Sequence, residues 1–376
     1  MLDLSVAALA LPTAFPADVD GDGRVVLQGE ARKKRSLGQF FTQGTCWLQP
    51  QIIEFIESSK CSVAYDPFAG SGCLFRPVTN AVTGVTRVVG LDIDPSLGWK
   101  VNDSLLDVPS IPDAVIVTNP PYISNYSASR KRLGESLRKY FALTPYDDIY
   151  LLALDRMLSA QKNVVAIIPE TFINSPYRKK NLLHSITVLE QNPFHDTDTP
   201  VVVVCFDSKV KPFSSVRVYK DGKFVCTLAD IESCRKTPTN DVVMRFNDLN
   251  GWLAVRCVDT TNPNDMLRFD FRDRIDYDWD KGIKVSSRLL TLIAIDVPMN
   301  KRQTLINECN SILQSLRDRS HDLVLSPFKG NMKNGVRRRR LDFQTCRAIV
   351  EEAYKRINGG TAANTVVQPA LFGEAI

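Results

Sequence analysis

Histidine is scarce in this 376-residue chain, with three in all. None of them, His184, His195 or His321, stands at metal-ligand spacing from another. The nine cysteines include no C-x-x-C pair, so neither a zinc ribbon nor a redox dithiol is expected. They read as free thiols of a reducing compartment, which is the cytoplasm. No apolar run is long enough to span a bilayer, so no membrane partner is expected. The apolar stretch Leu4–Ala17 is preceded by Asp3 where a secretory signal has basic residues, and it reads as an arm. Charge imbalance is nearly absent too. A net +5 does not by itself demonstrate nucleic-acid binding. Asp18–Gly23 imitates the opening of a calcium loop, but the twelfth position is Gly29 instead of glutamate. No P-D…E-x-K arrangement marks a nuclease. No metal site is expected.

What is present is length enough for two domains. From Leu48 to Asp207 helix-like and strand-like segments alternate. Strands are expected at Ser62–Tyr65, Arg87–Leu91, Ala114–Thr118, Asn163–Ile168, Ile186–Glu190 and Val201–Phe206. Helices are expected at Pro50–Ser58, after Gly72, and at Asp147–Ser159. Such alternation implies an α/β domain with a mainly parallel, doubly wound sheet. After Asp207 short amphipathic strands dominate to about Lys284, followed by helices near Lys301–Arg317 and Asp342–Arg356. This half reads as a smaller α+β domain. The expected organisation is an arm over 1–34, the α/β domain over 35–207, the α+β domain over 208–358 and a loose tail over 359–376.

Chemistry concentrates on the loops that leave the strands. Asn119-Pro120-Pro121-Tyr122 follows the buried run Ala114–Val117. Two prolines fix φ and remove two N–H groups, so neither strand nor helix continues. The loop presents an amide oxygen, a carbonyl and an aromatic ring. The Asn119 oxygen and the Pro120 carbonyl can each accept one N–H of an exocyclic amine, and Tyr122 can stack on a ring face. Asp66-Pro67-Phe68-Ala69-Gly70-Ser71-Gly72 follows the first strand, its glycines permitting close approach to a ligand and its helix offering N–H groups to a carboxylate. The second strand ends at Asp92-Ile93-Asp94, where an acidic side chain suits a ribose diol. Asn102-Asp103-Ser104-Leu105 comes next. Gly38-Gln39-Phe40-Phe41-Thr42 lies upstream, and Asn192-Pro193-Phe194 lies before the last strand. Basic runs stand at Arg32–Arg35, Arg130-Lys131-Arg132 and Arg337-Arg338-Arg339-Arg340, each able to contact phosphates.

These segments, in this order, resemble the S-adenosylmethionine-dependent amino-methyltransferases, and within them the N6-adenine DNA methyltransferases of γ motif order. The resemblance covers roughly Arg35 to Asp207. It implies a Rossmann-like catalytic domain over 35–207 and a DNA target-recognition domain over 208–358. It implies that Asn119, Pro120 and Tyr122 are catalytic, and that Tyr122 and Phe194 stack on the target base. Phe40, Phe41, Thr42, Asp66, Phe68, Gly70, Gly72, Asp92, Ile93, Asp103 and Asn119 would hold the cofactor, with Asp92 on the ribose (Asp94 the alternative), Ile93 on the adenine ring and Asp103 on its amino group. Asp147-Asp148-Ile149-Tyr150 and Ile167–Glu170 resemble further motifs of the same series. Arg130, Lys131, Arg132, Arg337 and Arg338 are the expected nucleic-acid contacts.

The implied partner is double-stranded DNA, read by a monomer of a bacterial, archaeal or phage-infected cell, with a cognate restriction endonuclease as a further partner. The target adenine would have to leave the duplex. Rival readings are methylation of RNA adenine, of a protein glutamine amide or of cytosine N4, and a catalytically inactive DNA-binding protein of the same fold.

Overall fold

The computed structural model describes residues 42, 44–126, 134–194, 197–284 and 289–359. The chain divides into two compact units. One holds the described residues up to Pro169, with Pro176–Thr197 and Val202–Val210. The other holds Glu170–Ser175, Asp198–Val201 and the described residues from Lys211 onward. Among the described residues no helix is long and apolar enough to cross a membrane. All nine cysteines carry free thiols.

The first unit opens with helix α1, Pro50–Ser59, whose proline stands in the first turn where no N–H partner is needed. Then come β1 (Val63–Asp66), α2 (Phe75–Ala81), β2 (Arg87–Asp92), β3 (Lys100–Val101), β4 (Ala114–Thr118), α3 (Gly134–Phe141), α4 (Ile149–Ala160), β5 (Val164–Pro169), β6 (Leu183–Val188) and β7 (Val201–Phe206). The strand order is β3-β2-β1-β4-β5-β7-β6. β1 runs parallel to β2 and β4, β2 to β3, and β4 to β5, while β6 is antiparallel to β7. Every residue of β1, β4, β5 and β7 is buried, as expected of central strands covered on both faces. The chain is thus a mixed α/β protein with a mainly parallel, Rossmann-like sheet. From β1 the order runs outward through β2 in one direction and through β4 in the other. Ligands bind at such a reversal, beyond the carboxyl ends of the strands.

The second unit is α+β. It contains β8 (Arg217–Lys220), β9 (Lys223–Thr227), α5 (Leu228–Ser233), β10 (Met244–Phe246), β11 (Leu253–Arg256), β12 (Arg268–Phe271), β13 (Leu290–Ile295), α6 (Met299–Arg319), β14 (Ser326–Asn331), β15 (Arg337–Arg340) and α7 (Phe343–Ile357). The four antiparallel strands order as β10-β13-β11-β12. Their inner residues Leu253, Val255, Phe269 and Ile293 join Leu305, Ile312 and Leu316 of α6 and Ile349 and Val350 of α7 in one apolar core.

Two arginines of the β15 run are turned into this unit, Arg337 among those read as phosphate contacts. Alternation along a strand turns every second side chain inward. Arg337 is 8% exposed and Arg339 1%. Glu170 meets both, at 2.5 Å from Arg339 Nη1 and 3.6 Å from Arg337 Nε. Arg338 donates from Nε to the Asp259 carbonyl at 2.7 Å and lies over the Phe328 ring at 4.7 Å. Buried cations need partners of this kind, since an unpaired charge in the interior is strongly destabilising. Arg337 and Arg339 therefore balance the buried Glu170, so Arg337 is not turned to solvent as expected, while Arg338 and Arg340 stay partly exposed.

Candidate functional site

The carboxyl ends of β1, β2 and β4 surround one cavity, with an empty volume of about 880 Å³ including its open mouth. Ligand sites commonly fall in that range. Its lining includes Thr42, Asp66, Phe68, Gly70, Asp92, Ile93, Asp103 and Asn119. Residues read from five separate segments therefore meet in one place. Phe40, Phe41 and Arg130-Lys131-Arg132 lie outside the described residues.

Asp66 bridges the reversal of strand order. Its Oδ1 accepts from the Thr118 hydroxyl at 2.5 Å and from the Phe68 N–H at 2.9 Å. Asp66 and Thr118 are 2% and 0% exposed. Burial outweighs these hydrogen bonds, and Asp92 adds its charge, so the Asp66 carboxyl is pushed up to about 7. With Oδ1 occupied by two donors, the proton belongs on Oδ2.

A folded-state pKa raised in this way favours the protonated form. The stability it contributes is present below about pH 4 and lost as pH rises through 7, at up to about 4 kcal/mol. Asp66→Asn keeps an oxygen for both donors and removes the ionisation. Urea unfolding at pH 5 and pH 8 should show the wild type weaker at pH 8 and the variant with most of that difference gone. Equal pH dependence in the two proteins would refute the assignment.

Asp92 ties two loops together. Oδ2 accepts from the Gly70 N–H at 2.8 Å and Oδ1 from the Asp94 N–H at 2.9 Å. Asp94 instead uses Oδ1 to cap the short 3-10 turn through the Ser96 N–H at 2.9 Å. Ile93 follows Asp92 with half its surface exposed at the cavity. An exposed isoleucine there presents an apolar face to whatever enters.

Two residues of the site carry no signal in the sequence. Trp99 donates its indole N–H to the Gly70 carbonyl at 2.8 Å and packs edge-on to Phe75 at 5.6 Å. Its ring occupies the space that side chains at Gly72 and Gly90 would fill: a Cβ at Gly90 would stand 2.5 Å from the indole and one at Gly72 2.8 Å. Gly72 thus serves a buried packing contact, with φ +74°, and does not line the cavity. Tyr140 is the second. From α3 it donates its hydroxyl to Asp103 Oδ2 at 2.8 Å and lines the cavity. Lys139 pairs with the same oxygen at 3.2 Å. Both contacts span more than thirty residues of chain, beyond the reach of local pattern.

The Asn119 loop is held from several sides. Asn119 Nδ2 donates to Thr42 Oγ1 at 3.3 Å, and the Tyr122 hydroxyl lies 2.5 Å from Asn119 Oδ1 and 2.7 Å from the Ile167 carbonyl. One phenolic proton is shared between these two acceptors. Burial pushes the Tyr122 hydroxyl well above its ordinary pKa, so it remains a donor. Beyond the prolines the chain is pinned where Ser124 bridges Asp148 and the Ile149 N–H donates to the Ile123 carbonyl at 2.9 Å. Thr42 pairs with Phe194 through an isolated antiparallel bridge, so the upstream segment reaches the loop before β7.

Tyr122 and Phe194 are neighbours, at 6.2 Å between ring centroids, but their planes cross at 71°. A base between two rings needs parallel faces about 7 Å apart, two carbon contacts of about 3.5 Å each. The two aromatic residues expected to stack on a base are therefore brought together, in edge-to-face contact, without forming an open slot. Among the described residues no group of three His, Cys, Asp or Glu side chains is placed to hold a metal.

No protein-family profile matches the chain, and no curated protein matches it. Solved structures do. A class I S-adenosylmethionine-dependent methyltransferase of Listeria monocytogenes, so described provisionally, superposes at TM-score 0.33 and 15% identity over 46% of this chain and 64% of its own. The methyltransferase subunit of a type I restriction-modification system from Streptococcus thermophilus gives 0.36 and 18%, over 52% of each chain. A modification subunit of a type I restriction enzyme from Vibrio vulnificus, also so described provisionally, gives 0.35 and 14%, over 51% of this chain and 49% of its own. The chain spans less than two thirds of the length of each of these three.

Proposed function

We propose that the chain is a DNA methyltransferase that uses S-adenosylmethionine to methylate the N6 amino group of an adenine rotated out of the duplex. The observation that carries this reading is the placement of Asn119. It stands at the carboxyl end of β4, on the rim of the same cavity as Asp66, Asp92 and Asp103. An amide acceptor fixed before two prolines suits an exocyclic amine, and the Asp92 and Asp103 carboxylates at the same cavity suit a cationic ligand.

The lining fits that cofactor. Asp92 would take the ribose diol, Ile93 the adenine face, Asp103 the adenine amino group, and Asp66 with the Gly70 loop the methionine end. Thr42 and Phe68 would close the walls. Bound there, S-adenosylmethionine supplies an activated methyl group. The chain's own residues position the acceptor. Asn119 Oδ1 and the Pro120 carbonyl accept the two N6 hydrogens, drawing the nitrogen lone pair out of ring conjugation. Positioning and electrostatics then account for the rate.

The Tyr122 hydroxyl now occupies Asn119 Oδ1, the oxygen this reading gives to the base. Arrival of N6–H would exchange one donor for another, and a turn of the Tyr122 ring away from Phe194 would open the face on which the base stacks. Stacking of a base on an aromatic ring contributes about 1–3 kcal/mol, comparable to the cost of extrusion. On this reading residues 35–207 are the catalytic domain and 208–358 the target-recognition domain. A cognate restriction endonuclease is the partner a modification enzyme would have.

The test is nucleoside analysis of DNA incubated with the purified chain and methyl-labelled S-adenosylmethionine. N6-methyl-2′-deoxyadenosine is the expected product. Label in RNA, in protein glutamine or at cytosine N4, with none at adenine N6 in DNA, would replace this reading with that substrate. No cofactor binding at all would indicate an inactive fold.

A further inference from the structure

Helix α3 sends one side chain to the cavity, and that side chain fixes a carboxylate. Leu137 and Tyr140 stand three residues apart on one face of the helix and are buried, while Arg138 and Lys139 between them are exposed. A buried phenol needs a partner for its hydroxyl. Tyr140 finds Asp103 Oδ2 at 2.8 Å. Lys139 Nζ lies 3.2 Å from the same oxygen and 4.5 Å from the centre of the Tyr140 ring. Both donors therefore use one oxygen of the carboxylate. Asp103 Oδ1 has no donor among the described residues.

The backbone under Asp103 is held separately. The Asn102 N–H donates to the Asp92 carbonyl at 2.9 Å, and Asn102 Nδ2 donates to Ser104 Oγ at 2.8 Å and to the Asp107 carbonyl at 2.9 Å. The Leu106 N–H closes the turn on the Asp103 carbonyl at 2.9 Å. With the turn set, side-chain rotation is the freedom left to Asp103, and the bond from Tyr140 removes it. Asp103 and Tyr140 both line the cavity. A fixed carboxylate with one unclaimed oxygen at a cavity is an acceptor for an incoming N–H. We propose that Tyr140 is a positioning residue for the adenine end of the cofactor: its hydroxyl holds Asp103 so that Oδ1 meets the exocyclic N–H, and the site thereby selects a ring edge that bears an amino group. This inference rests on the cofactor reading above, and places the selecting contact on a helix that carries none of the motifs read from the sequence. An ionised carboxylate only accepts, so a ring edge without a donor leaves it unanswered. Lys139 is 55% exposed, and solvent screens its ion pair. The buried Tyr140 carries the effect.

The experiment is calorimetric titration of the full chain with two ligands. One is S-adenosylhomocysteine, the demethylated form of the cofactor; the other is its analogue with hydrogen in place of the 6-amino group. They differ only at the group assigned to Asp103. The wild type should bind the first about 10–100-fold more tightly, the range of one hydrogen bond to a charged acceptor. Tyr140→Phe keeps the ring and removes the donor. It should weaken the first ligand about five- to tenfold and leave the second within about twofold, because its effect passes through the missing amino group. Lys139→Ala should leave both within about twofold. Thermal unfolding of Tyr140→Phe without ligand checks that α3 stays seated. Equal losses for the two ligands, the signature of packing alone, or no loss for either, would overturn the role of Tyr140 and leave the cofactor reading standing. A wild type that binds both ligands equally would take the amino group from Asp103, and the inference with it. Binding of neither ligand by the wild type would remove the cofactor reading as well.

Discussion

On the methyltransferase reading proposed above, Asn119→Ala lowers methyl transfer by about 10³-fold or more, while affinity for S-adenosylmethionine stays within about threefold of wild type. The expectation follows from what the side chain does in the structure. Its amide joins Thr42 to the loop, and its oxygen is the acceptor facing Tyr122. Alanine removes the acceptor that would align the amine, and loss of one positioned polar group commonly costs 10²–10³-fold. Loss of alignment adds to that, since small misplacements of reacting atoms are expensive. The proposed cofactor walls, Asp66, Asp92 and Asp103, are untouched. Single-turnover rates with labelled cofactor, together with calorimetric binding, measure the two effects separately. Wild-type-like turnover in this variant would sink the assignment of Asn119. A parallel collapse of cofactor affinity would show that the side chain holds the cofactor instead of the base.

Asp259→Ala destabilises the second unit by about 3–5 kcal/mol. Asp259 is fully buried and answers four donors. Oδ1 accepts from the Leu267 N–H at 2.9 Å and Arg317 Nη1 at 3.1 Å, and Oδ2 from the Arg339 N–H at 2.9 Å and Arg317 Nη2 at 3.2 Å. Truncation orphans two backbone N–H groups and half of a buried guanidinium, and buried donors left unmade carry the full desolvation cost. Arg317 retains Asp322 at 2.7 Å, which sets the upper end of the loss. Urea unfolding followed through Trp252 and Trp279, both in this unit, reads the effect. Asp259→Leu combined with Arg317→Leu should recover a large part of it, because removing both charges removes the unpaired one. A change under 1 kcal/mol in Asp259→Ala would show that water reaches and satisfies the site.

Local pattern went a long way in the first unit. Ala114–Thr118 and Val201–Phe206 are strands with the bounds expected, because a strand covered on both faces is nearly continuously apolar. The two late helices also stand within two residues of expectation, Met299–Arg319 and Phe343–Ile357. β6 begins at Leu183, three residues before the expected start. It contains His184, an exposed residue that breaks the apolar run, and its register shifts there. Composition cannot see such an irregularity.

The arginines of β15 show the opposite limit. Four consecutive cations read as a solvated, phosphate-seeking patch. Only the presence of Glu170, more than 160 residues upstream, gives two of them a buried partner.

By itself the sequence determined the alternating α/β plan, the amide-Pro-Pro-Tyr loop at the end of β4, and the acidic and glycine positions at the ends of β1 and β2. Each is a matter of neighbours in the chain: apolar period, proline geometry, turn chemistry. Tertiary structure alone decided that these loops share one cavity, that Trp99 fills the space left by Gly72 and Gly90, and that Tyr140 caps Asp103. It also decided that the Asp66 carboxyl is held near neutrality, and that Tyr122 meets Phe194 edge-on. The reason is physical. Burial, desolvation and contacts between separate elements depend on how the sheet brings strand ends together, and no local spacing encodes them.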